Sequence, residues 1–108
     1  MQRRPARRRK RTTGFVPRIK GNALFTRCLE ELEKHLSPRR SGEALHAAVL
    51  QVGATPENVT LGHLVRAVDL SLIAALLPHC DDNHEEATVI AGEISRLLDE
   101  LARQYFQQ

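Results

Sequence analysis

Residues 60–77 read TLGHLVRAVDLSLIAALL, and the architecture follows from them. Leu61, Leu64, Val65, Val68, Leu72 and Leu76 recur at helical spacing and make one continuous apolar face. Ala67, Leu70, Ile73, Ala74, Ala75 and Leu77 cover most of the remaining circumference. Only His63, Arg66 and Asp69 leave a narrow polar strip. A helix apolar on so many sides must be packed from more than one side. Thr60 is a good N-cap and Pro78 a stop, so one unbroken helix is predicted from Thr60 to Leu77.

The neighbouring segments supply the cover. Downstream, HCDDN at 79–83 is a loop, and Asp82 or Asn83 caps a helix with Glu85 or Glu86 as its capping-box partner. That helix runs to about Phe106, roughly 34 Å long at 1.5 Å per residue. Val89, Ile90, Ile94, Leu97, Leu98, Leu101 and Tyr105 form its core face. Upstream, ATPENV at 54–59 is a turn. A shorter helix precedes it from about Gly42 to Val52, capped by Ser41 and stopped at Gly53, with Leu45, Ala48, Val49 and Val52 inward. SPRRSG at 37–42 is read as a loop. A first helix starts at Asn22 and ends before Pro38, with Phe25, Cys28, Leu29, Leu32 and Leu36 on one face.

These elements predict an all-α protein, a small four-helix bundle-like domain over residues 22–108. The length of 108 residues suits one domain. There is no Trp and aromatic residues make up 4%, so the core is built from Leu, Val, Ile and Ala, a composition that favours helices. Small residues recur on the last two predicted helices, at Ala67, Ser71 and Ala75 and at Ala91, Gly92 and Ser95. Such rows let backbones approach closely. They serve either internal packing or self-association, and the apolar excess of these helices leads us to expect a homodimer.

Residues 1–21 are different in kind. MQRRPARRRKR at 1–11 holds seven basic residues, Arg3, Arg4, Arg7, Arg8, Arg9, Lys10 and Arg11, and almost nothing apolar. With no surface to bury, it is predicted to be disordered when free. TTGFVPRIKG at 12–21 adds Arg18, Lys20 and the apolar Phe15, Val16 and Ile19. Pro17 disfavours helix at Val16, so this part reads as an extended strap. Residues 1–20 carry nine cations and no acid, whereas residues 21–108 carry seven cations and thirteen acids, a net of −6. The overall charge of +3 therefore hides a cationic arm on an acidic body.

Seven clustered cations attract polyanions and release counterions from nucleic acid. The arm's first eleven residues contain no aromatic residue to stack on bases, so such binding would be largely blind to sequence. RRRKR also suits a nuclear localisation signal, or contact with an acidic protein. A strap with Phe15, Val16 and Ile19 between cations has the form of a linear recognition motif, and equally of a segment that folds back onto its own core.

Other chemistry is weaker. The longest apolar run, Leu72 to Leu77, is far short of the ~20 residues that span a membrane. The basic start runs into a polar stretch rather than the apolar core of a secretory signal. Pro5 and Pro17 interrupt an amphipathic presequence. Cys28 and Cys80 make no disulfide framework, and a cytoplasmic location is expected.

The second helix, turn and third helix, from about Gly42 to Leu77, fit a DNA-reading helix-turn-helix poorly, since the turn is long and the helix starting TLGHLVRAV has few polar residues for a groove. His79, Cys80 and His84, among acids, are the best candidates for metal ligands, yet a structural zinc site needs four ligands and no second pair appears. Capping by the acids is the better account. Cys28 and His35 lie seven apart on one helix, but Cys28 falls on the apolar stripe, where an inert thiol is usual. No serine elbow or phosphate-binding glycine loop is present.

The expectation is a non-enzymatic helical adaptor or regulator, without cofactor, metal, membrane or small-molecule substrate. Its basic arm binds a polyanion, nucleic acid first. The alternative is a protein–protein adaptor or assembly factor, in which Phe15, Val16 and Ile19 with the arginines engage an acidic protein surface.

Overall fold

The structure, a computed structural model, describes residues 20–106. It contains α1 (Ala23–Leu32), α2 (Pro38–Gln51), α3 (Leu61–Leu70), α4 (Leu72–Leu76), a 3-10 turn (Leu77–His79) and α5 (His84–Phe106). There is no strand among the described residues, and the predicted all-α, bundle-like class is the one observed. α2 packs on α4, α3 and α1, while α5 packs on α3, α4 and α1. The core lies between these two longest helices.

Cap chemistry sets several boundaries where the sequence places them. Asn22 caps α1, its Oδ1 accepting from the Phe25 amide at 2.9 Å. Thr60 caps α3, accepting from the His63 amide at 3.1 Å, and His63 Nδ1 accepts from the Thr60 amide in return. Asn83 caps α5 by accepting from the Glu86 amide at 3.1 Å. Gly53 adopts φ 82° past the end of α2, where the Ala54 amide returns to the Val49 carbonyl at 3.0 Å. That left-handed turn closes the helix and is the conformation that favours glycine.

Three expectations are corrected. First, α1 ends at Leu32, and α2 starts at Pro38 with Ser37 as its cap, accepting from the Arg40 amide at 3.2 Å. Proline needs no amide partner at the first helical position, so Ser37-Pro38 starts a helix instead of a loop. Ser41, expected to cap, is wholly buried inside α2. Second, the helix predicted across 60–77 breaks at Ser71, and its two parts meet at 71°. The Ser71 hydroxyl donates to the Ala48 carbonyl at 2.9 Å and lies 3.2 Å from the Ala67 carbonyl. A serine that serves a neighbouring helix as well as its own turn bends the ladder.

Third, the bend redirects the apolar stripe. Leu64, Ala67, Leu72 and Leu76 are buried, whereas Val65 is 45% and Leu70 72% exposed. On α5, Ala87, Ile90, Ala91, Ile94, Leu97 and Leu98 face inward, but Val89, predicted inward, is 58% exposed. Leu101 is half-buried, and the Tyr105 side chain lies outside the described ones.

Candidate functional site

The described chain begins at the root of the basic arm. Lys20 is exposed there. Arg3, Arg4, Arg7, Arg8, Arg9, Lys10, Arg11 and Arg18 lie outside the described residues, as do Phe15, Val16 and Ile19.

The root itself is tightly held. The Asn22 amide donates to the Pro56 carbonyl at 2.9 Å, and its side-chain amide donates to the Val59 carbonyl at 2.8 Å. One residue thus caps α1 and ties the arm to the loop between α2 and α3. Gly21 is needed for this approach. A Cβ on it would meet the Phe25 ring at 2.6 Å and the Pro56 carbonyl oxygen at 2.8 Å. Pro56 and Val59 are buried, so the anchor is part of the core.

On the body, two shallow depressions stand out. One, of about 290 Å³, lies between α1 and α5 and is walled by charged side chains including Arg27, Glu31, Lys34, Glu93 and Arg96. Its cations pair with acids on their own helices: Lys34 with Glu31 at 3.2 Å and Arg96 with Glu93 at 3.3 Å, while Arg27 lies 3.6 Å from Glu30. Arg39 pairs with Glu43 on α2 in the same way. Exposed pairs of this kind contribute little stability but neutralise one another, so this face offers no strong field to a ligand.

The other depression, also of about 290 Å³, lies where α2 passes the α3–α4 bend, lined by Ala47, Gln51, Leu70, Ser71, Ala74 and Ala75. No charged side chain lines it. Two of the small residues expected at a self-association face, Ser71 and Ala75, are in its wall. The others are elsewhere: Ala67 and Ala91 are enclosed in the core, and Gly92 and Ser95 are exposed on α5. The six therefore do not share one exposed face.

The cysteines are poor nucleophiles. Cys28 is wholly buried in α1, and burial pushes its thiol up to about 12 against the opposing pull of Arg27. His35 is exposed beyond the end of α1. Cys80 is buried too, and its thiol is pushed up by burial, then by Glu86 and Asp81. Such thiols stay protonated and unreactive near neutrality.

Asp81 and Asp82, at φ 52° and 59°, turn the chain into α5, and His84 contacts the Thr88 hydroxyl of its own helix at 3.4 Å. Among the described residues no three His, Cys, Asp or Glu side chains are grouped to hold a metal ion. No single helix among them is long and apolar enough to cross a membrane.

Comparison with protein-family models, with curated proteins and with solved structures gives no match to this chain.

Proposed function

We propose that this protein is a non-enzymatic helical adaptor whose residues 3–20 bind nucleic acid largely without regard to sequence. One observation carries the reading. Nine cations and no acid fall in residues 1–20, while residues 21–108 are net −6. An acidic body is repelled by phosphates, so attraction must come through the arm. Its guanidinium groups contact phosphates, releasing condensed counterions. No aromatic residue in the first eleven is available for stacking, so bases go unread. The helical body acts as the scaffold. Its anchor at Asn22 and Gly21 holds the root of the arm against the loop between α2 and α3.

The test is purification of the intact chain from native extract, with and without nuclease. The expected result is nucleic acid bound to the untreated protein and removed by nuclease, with no protein partner left behind. A stoichiometric protein partner that survives nuclease would contradict the reading and favour engagement of an acidic protein surface.

A further inference from the structure

We infer that a second copy of this chain docks on the exposed face of α3, antiparallel and across a two-fold axis, with Arg66 of each copy against Asp69 of the other. Val65, Arg66, Asp69 and Leu70 are all exposed, and their three- and four-residue spacings put them in one stripe along the helix. Leu64 and Ala67, on the other side of α3, are buried in the core. Val65 is 45% and Leu70 72% exposed, so the stripe carries a large apolar side chain at each end. Past Leu70 the uncharged surface runs on into the groove at the α3–α4 bend, with Ala74 and Ala75 in its wall. Contiguous exposed apolar surface on a small domain calls for cover.

Between the two apolar ends sit one cation and one anion. Neither Arg66 nor Asp69 forms an ion pair among the described residues. In this they differ from Arg27, Lys34, Arg39 and Arg96, each of which has an acid on its own helix.

The order of the four residues identifies the occupant. Along α3 the stripe reads apolar, cation, anion, apolar. Turned end for end it becomes its own complement. A two-fold contact sets one residue on a second and the second on the first. With the axis at the level of Ala67 and Val68, Arg66 meets the partner's Asp69 twice over, and Val65 meets the partner's Leu70 at both ends. A parallel arrangement sets Arg66 on Arg66 and Asp69 on Asp69, and like charges repel. Sliding one antiparallel copy by three or four residues sets a charge on its own kind, or leaves it unpaired against Val65 or Leu70. α3 has 10 residues, so the contact belongs at the small end of specific interfaces and the dimer depends on concentration. The homodimer expected from the sequence is thereby assigned to α3 rather than to the six small residues. Every residue in this contact lies on the body, so it does not depend on what residues 3–20 bind.

The test is sedimentation equilibrium of the nuclease-treated full chain over a concentration series. The expected result is a mass that rises from one chain to two. Arg66→Asp alone and Asp69→Arg alone should each weaken the dimer at least about tenfold, since like charges then meet twice. Both positions are exposed, so helix content, read by circular dichroism, should match that of the unmodified chain. Mixing the two single variants, or combining both changes in one chain, should restore association. An unmodified chain that stays single at every concentration overturns the inference. So does a dimer that both single changes leave intact, or one that neither the mixture nor the double change restores.

Discussion

Ser71 joins two helices with one hydroxyl. Its bond to the Ala48 carbonyl crosses 23 positions of sequence, and its approach to the Ala67 carbonyl relaxes the end of α3. A partly buried neutral hydrogen bond contributes about 0.5–1.5 kcal/mol net. Ser71→Ala should lower the unfolding free energy by about 1 kcal/mol, read from the urea midpoint; no change would mean the bend is held by packing alone.

Cys28 makes a second prediction at this scale. With its thiol raised to about 12, it is protonated throughout the range in which ordinary thiols ionise. With a disulfide reagent, the folded protein should therefore label at Cys28 far more slowly at pH 8 than an ordinary thiol does, and the rate should still be climbing at pH 10, where an ordinary thiol levels off. Unfolding in denaturant should expose it at once. Rapid labelling of Cys28 in the native state would show that α1 opens.

At the scale of elements, α5 separates surface from core at adjacent positions. Ile90 is 1% and Val89 58% exposed. Ile90→Ala should cost about 2–5 kcal/mol by cavity formation, and Val89→Ser less than about 0.5 kcal/mol, in the same urea experiment. Equal costs would place Val89 inside.

At the other end, Asn22→Ala removes both the α1 cap and the tie to Val59, an expected loss of about 1–2 kcal/mol. Asn22→Ser keeps a capping oxygen and should recover part of it.

The same elements show what could be read in advance. As caps or helix stop, Asn22, Thr60, Gly53 and Asn83 act within three or four residues of themselves, so those roles are visible from local chemistry, whereas the tie from Asn22 to Val59 is not. Ser71 acts on Ala48, and nothing near it announces that partner. A continuous helix was therefore the natural expectation. Ser37 and Ser41 are both plausible caps; Pro38 decides between them only when weighed as a first helical residue rather than as a breaker. The spacing puts Val65 on the continuous apolar face and Leu70 among the apolar residues around it, and the bend leaves both exposed. The groove is a product of that bend, and no spacing in the sequence foretells it. The arm is the reverse case, since its character is composition and needs no fold to be seen.

For the whole molecule, the central matter is the division between a net charge of +9 on residues 1–20 and −6 on residues 21–108. If the arm alone holds nucleic acid, affinity must fall steeply with salt. Seven duplex phosphate contacts give a slope of log affinity against log salt of about −6. The decisive measurement is this slope for a labelled DNA duplex, taken on the full chain and on a variant with Arg7, Arg8, Arg9, Lys10 and Arg11 replaced by Gln. The account predicts a steep slope for the first and one shallower by about 4–5 for the second, with most of the affinity lost. An unchanged slope and affinity in the variant would contradict it.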